Sequence, residues 1–205
     1  MLDYNQKYLI FDTETEGLNL IDSRPWQISW MLAEGSRIVK VKDEYLHFPD
    51  LRIGPDVQRI TKFSWTAYNM RKRSPKEVWA EFKQDLFNDK YIIVGQNLLG
   101  YDVYILAILQ QLLGEKPDYS YMDRIYDTRC IGKAFRENLA KPQNSDMLSW
   151  QYKIMHDRTL KSKASQLQLL KTLGIDFVES KLHDAAYDNE MCFKVFCELK
   201  KRMGL

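Results

Sequence analysis

Short apolar runs broken by acid, glycine and proline dominate the first part of the chain, and helix-spaced apolar positions dominate the rest. Tyr8 to Phe11 is a four-residue apolar run that ends abruptly in acid, Thr and Gly, the signature of a buried strand. Trp26–Ala33 (WQISWMLA) and Arg37–Phe48 read as two more strands. Glu34-Gly35-Ser36 is the hairpin turn between them, so the sheet starts antiparallel. Pro55 opens a short helix through Arg59. Ser74-Pro75-Lys76-Glu77 has the form of a helix start, with Ser as N-cap, Pro at the first position and Glu three residues after Ser. Val78, Trp79, Phe82, Leu86 and Phe87 then keep helical spacing. Tyr91–Val94 (YIIV) is apolar throughout, as strands buried in parallel sheets are.

Beyond Gly95-Gln96-Asn97, a helix is expected over Asp102–Leu113, with Ile105, Leu106, Leu109 and Leu113 inward. Ile125-Tyr126 reads as a short strand, and Asp127-Thr128 leads into a helix to about Asn138. Leu139–Arg158 is the least patterned region. Pro142, Asn144, Ser145 and Asp146 mark a loop there, and the stretch 139–162 is read as an insertion. Lys163–Leu173 is helical, with Leu167, Leu170 and Leu173 at core spacing and Gly174 as C-cap. The last helix runs from about Asp184 to Arg202, with Phe193, Phe196, Cys197 and Leu199 inward. Antiparallel strands followed by alternating strands and helices describe an α/β fold: a mixed sheet with helices on both faces.

Composition narrows this reading little. A chain of 205 residues is read as one domain, 1–205, and 45% hydrophobic with 28% charged residues is ordinary for a globular protein. A net charge of +2 does not by itself argue for nucleic acid and only permits local basic patches. Arg71-Lys72-Arg73 and Lys161 with Lys163 are such patches; they fit phosphate contacts or plain solvated surface. The three cysteines lack metal-type spacing. With no leader-like N-terminus, they fit a reducing cytoplasm. No apolar run approaches a membrane span, so no membrane role is expected.

The chemistry is concentrated in three places. Asp12 and Glu14, two apart at the end of the first strand, project to one face while Thr13 points away. Carboxylates so placed repel, and a shared proton or a cation relieves them; hard oxygen ligands suit magnesium or manganese. Asp-x-Glu alone fits an acidic, solvated loop as well. Asp102 follows NLLGY at the carboxyl end of the YIIV strand, where open α/β sheets place ligands, yet it also fits a helix N-cap. If YIIV lies parallel beside YLIF, Asp102 comes close to Asp12 and Glu14. Tyr101 fits either base stacking or core packing. In HDAAYD, His183 and Asp188 converge only if His183 lies on the loop before the last helix and Asp188 in its first turns. Near acids His183 suits a proton carrier, although a surface histidine at a helix start is common. His47 and His156 have no comparable acidic setting.

DTETEGL, NLLGYD and HDAAYD, in this order and spacing, resemble the three motifs of the DEDDh family of 3′–5′ exonucleases. That family includes the proofreading exonuclease subunit of bacterial DNA polymerase and ribonuclease T. RITKFSWTAYN, YDTRCIGKAF and LQLLKTLGI resemble its connecting segments, so the likeness covers nearly the whole chain outside the insertion. The resemblance implies a ribonuclease H-like fold. It implies a metal-dependent 3′–5′ exonuclease on single-stranded nucleic acid, DNA ahead of RNA, releasing nucleoside monophosphates. Two divalent ions, Mg2+ or Mn2+, are implied, with Asp12, Glu14, Asp102 and Asp188 as ligands and His183 as general base. Thr13, Leu18 and Tyr101 are expected to touch substrate. Leu18 occupies the position that in the family wedges between terminal bases, and it also fits a core leucine. The sibling subfamily has Tyr four residues before the last Asp; here that residue is Asp184, which favours the histidine subtype. Asn97 and Asp102 stand one residue farther apart than is usual for this subtype. An RNA 3′-end exonuclease, a polymerase- or replication-bound proofreader and an inactive nucleic-acid-binding module are the alternatives. All five catalytic positions being present argues against the last.

Overall fold

The first strand that the sequence pattern predicts, β1 (Lys7–Thr15), lies at the centre of the sheet. The computed structural model describes residues 5–182 and 184–205. β2 (Pro25–Glu34) pairs antiparallel with β1, and β3 (Arg37–Tyr45) pairs antiparallel with β2. On the other side of β1, β4 (Tyr91–Gly95) and β5 (Ile125–Asp127) add in parallel, giving the order β3-β2-β1-β4-β5. Gly35, at φ 58°, makes the β2–β3 hairpin turn in a conformation glycine adopts without a Cβ clash.

Helices cover both faces, as expected. On one side α3 (Pro75–Leu86) and α4 (Asp102–Leu112) bury Val78, Trp79, Phe82, Leu106 and Leu109 against Leu9, Phe11, Ile28, Trp30 and Ile93. On the other, α8 (Ala185–Met203) packs Cys192, Phe193 and Phe196 onto Tyr8, Ile10, Met31, Ala33 and Val94. Because β1 and β2 are covered on both faces they read as continuous apolar runs rather than alternating ones. Edge strand β3 is different: Ile38, Val39 and Val41 are among the exposed large apolar residues. Behind α8, the helices α5 (Thr128–Arg136) and α7 (Gln166–Leu173) complete a second core with Ile131, Leu169, Leu170 and Leu173. No helix among the described residues is long and apolar enough to cross a membrane.

Several local expectations change. The stretch 139–158 is not wholly irregular: α6 (Met147–His156) forms there, capped by Asp146, which accepts from Ser149 N at 2.7 Å. Besides α1 (Pro55–Thr61), a short helix α2 (Trp65–Arg71) precedes α3. Ser74 is the N-cap of α3, but its side chain makes no capping hydrogen bond. Ser165 instead makes a full capping box with Gln168, so α7 starts at Gln166 rather than Lys163.

Gln151 explains why α6 belongs to the core. It is fully buried, and its amide mimics a strand: Nε2 donates to Ile125 O at 2.8 Å and Oε1 accepts from Asp127 N at 2.6 Å. It therefore satisfies the outer edge of β5, which would otherwise be buried unpaired. Gln151→Leu keeps the volume and leaves both backbone groups unsatisfied. Urea unfolding should show a loss of about 2–5 kcal/mol, the desolvation of two buried polar groups; an unchanged midpoint would mean the β5 edge is held otherwise.

Candidate active site

β1 outruns its neighbour. Its parallel pairing with β4 ends at Ile10↔Val94, while its antiparallel pairing with β2 continues to Thr15. The β4-side edge of β1 beyond Ile10 is thus open for something other than a strand, and the chain after β4 fills it. Gly95 permits the turn, since a Cβ there would lie 2.5 Å from the Leu98 side chain. Asn97, at φ 68°, then enters the left-handed region that asparagine tolerates, and a 3-10 turn over Leu98–Gly100 leads into α4. Asp102 is the first residue of α4, not its N-cap. Its Oδ1 accepts from Thr13 N at 3.0 Å and from Thr13 Oγ1 at 2.6 Å. Thr13 points away from Asp12 and Glu14, as alternation requires, and that direction leads to Asp102.

Asp12 and Glu14 share a face with Tyr8 and Ile10, the face α8 covers. Asp188 lies in the first turn of α8, after the N-cap Asp184, which accepts from Tyr187 N at 2.9 Å. Two residues fix this turn. Asn189, 1% exposed, donates from Nδ2 to Ser29 O at 3.0 Å, and Ser29 is the cross-strand partner of Asp12. Gln166, opening α7, donates from Nε2 to Asp188 O at 3.1 Å and to Asp188 Oδ1 at 3.3 Å. Neither was singled out in the sequence. A polar residue next to the last acid and one at a helix start are the only local signals, and neither is specific.

The electrostatics put four carboxylates in one field. Burial, then Asp102, Glu14 and Asp188, hold the Asp12 carboxyl well above the usual range. Burial, then Asp188 and Asp102, push Glu14 up to about 8. Burial raises Asp102 to about 7 against the opposing bonds from Thr13, with Asp127 adding to the rise. Asp127 is a useful contrast. It too is buried and raised, but its carboxylate accepts from the amides of Asn97, Leu99, Arg129 and Cys130. It caps α5 and holds the turn leading to Asp102, a structural task that satisfies it. Among the described residues, no comparable set of amides points at Asp12 or Glu14.

The remaining candidates fall around this cluster. Leu18 is 88% exposed on the loop after β1, which excludes a core role. Tyr101 is half-buried, with its hydroxyl bonded to Thr15 Oγ1 at 2.5 Å and to Gly17 O at 2.6 Å, so it braces the turn that carries Leu18. The loop is braced again by Glu16: Arg24 binds it at 2.7 and 2.8 Å, and Arg52 N donates to it at 2.7 Å. Burial opposes ionisation of Glu16, but these donors hold its carboxyl below the usual value. His183 lies outside the described residues. His156 closes α6 with its ring stacked on Tyr152. Of the basic patches, Arg71 and Arg73 are taken up by Asp43, Glu44 and Glu81. Lys163, with Arg129 and Lys133, lines a cavity of about 850 Å³ that also includes Asn97 and Gln166 and so adjoins Asp188.

The donor set fits a hard divalent cation. It offers carboxylate oxygens and no thiolate, and its charges repel one another without a counter-ion. Among the described residues no three His, Cys, Asp or Glu side chains stand close enough to hold a metal ion as they are.

No protein-family model matches the chain, and no curated protein sequence does. Solved structures do. Escherichia coli exonuclease I in complex with a dA16 oligonucleotide superposes with a TM-score of 0.73 at 18% identity, over 97% of this chain and 41% of that one. The zinc-ion-bound form of an E. coli exonuclease I complex with single-stranded DNA gives 0.75 at 17%, over 98% and 41%. A product-bound exonuclease I gives 0.72 at 15%, over 96% and 44%. The fold is therefore ribonuclease H-like, and this chain spans less than half the length of those proteins.

Metal-free protein should lose stability as pH rises. The folded-state values of Glu14 and Asp102, about 8 and about 7, lie above their unfolded values, so the folded state binds more protons across the interval. Stability is then greatest below the unfolded values and falls as pH rises through the folded ones. A bound cation replaces those protons. Saturating Mn2+ should thus raise the thermal midpoint more at about pH 8.5 than at about pH 5.5. Equal shifts at both pH values would count against the cluster as the ion's site.

Proposed function

We propose that this chain is a metal-dependent 3′–5′ exonuclease that hydrolyses single-stranded nucleic acid, DNA ahead of RNA. The observation that carries the reading is the arrival of Asp12 and Glu14 from β1, Asp102 from α4 and Asp188 from α8 in one another's field. Gathering four carboxylates into one field disfavours their ionised forms, and a cation-dependent site is the use that justifies it. The shared fold with an exonuclease solved on DNA supports nucleic acid as substrate. The cavity lined by Arg129, Lys133 and Lys163 supports a path for the strand's phosphates beside the cluster.

Asp12, Glu14, Asp102 and Asp188 would hold two Mg2+ or Mn2+ ions. When bound, the ions lower the pKa of water and stabilise charge on the leaving oxygen. The chain's own residues do the rest. His183 accepts the proton of the attacking water. The water oxygen bonds to the phosphorus linking the last two nucleotides, and the bond to the 3′ oxygen of the penultimate one breaks. A nucleoside monophosphate leaves. Thr13 fixes the Asp102 carboxylate, Leu18 packs against the terminal base, and Tyr101 holds the Leu18 turn.

Asp12→Asn removes one of the proposed ligand charges at constant size. Cleavage should fall on the order of 10³-fold or more. The metal-free thermal midpoint should hold or rise, since a repelled buried charge is gone. Wild-type cleavage by this variant would remove Asp12 from the site. On polarity, a 3′-labelled linear single strand should release mononucleotides while a circular single strand resists. Comparable cutting of the circle would identify an endonuclease instead.

A further inference from the structure

We infer that Lys62 is a positioning residue for the reaction: from the end of α1 its ammonium holds the backbone leading into His183. The inference rests on the reading of His183 as proton acceptor given above. Lys62 Nζ donates to Ser180 O at 2.8 Å and to Leu182 O at 2.5 Å, across 118 and 120 residues of sequence. Ser180 lies in the 3-10 turn Glu179–Lys181, and Leu182 directly precedes His183. Among the described residues, the other hydrogen bonds of this segment are local. Val178 N donates to Tyr187 Oη at 2.7 Å, and Asp184 N donates to Lys181 O at 3.2 Å. These shape the segment and join it to α8, but Lys62 ties it to a different part of the molecule.

That other part is firmly joined to the catalytic strand. The neighbour of Lys62, Phe63, packs edge-on against Trp26 with ring centroids 4.8 Å apart. Trp26 Nε1 donates to Thr15 O, the end of β1, at 3.2 Å. The tie therefore runs from the strand bearing Asp12 and Glu14, through Trp26 and Phe63, to the chain before His183. Packing anchors the other side of this segment, where Leu182 is buried in the core behind α8, while Lys62, Ser180, Lys181 and Tyr187 line a groove of about 550 Å³. The backbone of Lys62 adds a second sign. It is the C-cap of α1 at φ 56°, ψ 29°, a left-handed conformation in which glycine or asparagine is the usual choice. A lysine here is explained by its side chain, not by its backbone.

This separates positioning from stability. Lys62→Gly removes the ammonium and suits the left-handed backbone, so the thermal midpoint should hold. Single-turnover cleavage of a 3′-labelled DNA single strand in saturating Mn2+ should fall about 10–10²-fold through misplacement of the base, with KM little changed. Lys62→Arg, which keeps length and charge, should recover most of the rate. Lys62→Met, which keeps the stem, should behave like the glycine variant. In a His183→Ala background, itself slower by about 10²–10⁴-fold, Lys62→Gly should cost nothing further. A wild-type rate for Lys62→Gly beside a slow His183→Ala would overturn the positioning role and leave the base assignment standing. An equal further loss in the His183→Ala background would overturn it too, by showing that Lys62 acts elsewhere. An unchanged His183→Ala rate would overturn the base assignment and this role with it, while the Asp12→Asn result would still judge the nuclease reading.

Discussion

The bond between Asp102 and Thr13 closes the open side of the central strand. Where β4 stops, β1 still carries Thr13 with an amide that faces no strand, and the Asp102 carboxylate takes both that amide and the Thr13 hydroxyl. A side chain from the start of α4 thereby substitutes for a ladder residue. The geometry has a consequence for charge: the acid that completes the sheet edge stands beside the two acids that β1 projects to its other face. Sheet closure and carboxylate crowding come from the same residue.

Buried acids in this protein are of two kinds, and their donors tell them apart. Asp127 is buried as completely as Asp102, yet four backbone amides point at its carboxylate. Amide donors stabilise an ionised carboxylate in place, so Asp127 can serve as a cap and loop anchor without any ion. Asp12 and Glu14 are raised first by burial and then by the carboxylates around them. Among the described residues the fastenings include neutral ones: Asn189 to Ser29, Gln166 to Asp188, Thr13 to Asp102. These donors position Asp102 and the first turn of α8.

What escaped the sequence pattern did so for physical reasons. α6 buries Trp150, Gln151 and Ile154, and a glutamine on the inner face breaks the apolar period that marks a helix. α2 has seven residues and one buried side chain, Tyr68, too short a stretch for a period to show. Ser74 has the residues of a capping box after it, but only the Ser165 start forms one. Capping depends on the side chain's orientation as well as on spacing. The long apolar runs in β1, β2 and β4, and the Leu-spaced faces of α4 and α7, were legible because burial there is dense enough to override local detail.

By itself the sequence determined that Asp12 and Glu14 share a face, since strand alternation has a period of two whatever surrounds it. It likewise placed Asp102 after a buried strand, and Asp188 in the first turns of the last helix. Only the tertiary structure decided that β4 lies parallel beside β1 and stops short, which brings Asp102 to Thr13. It alone decided that α8 covers the face of Asp12 and Glu14, and that Lys62 reaches the chain before His183. Those contacts join residues some 90 to 180 apart in sequence. They depend on strand order and helix packing, and local spacing carries no record of either.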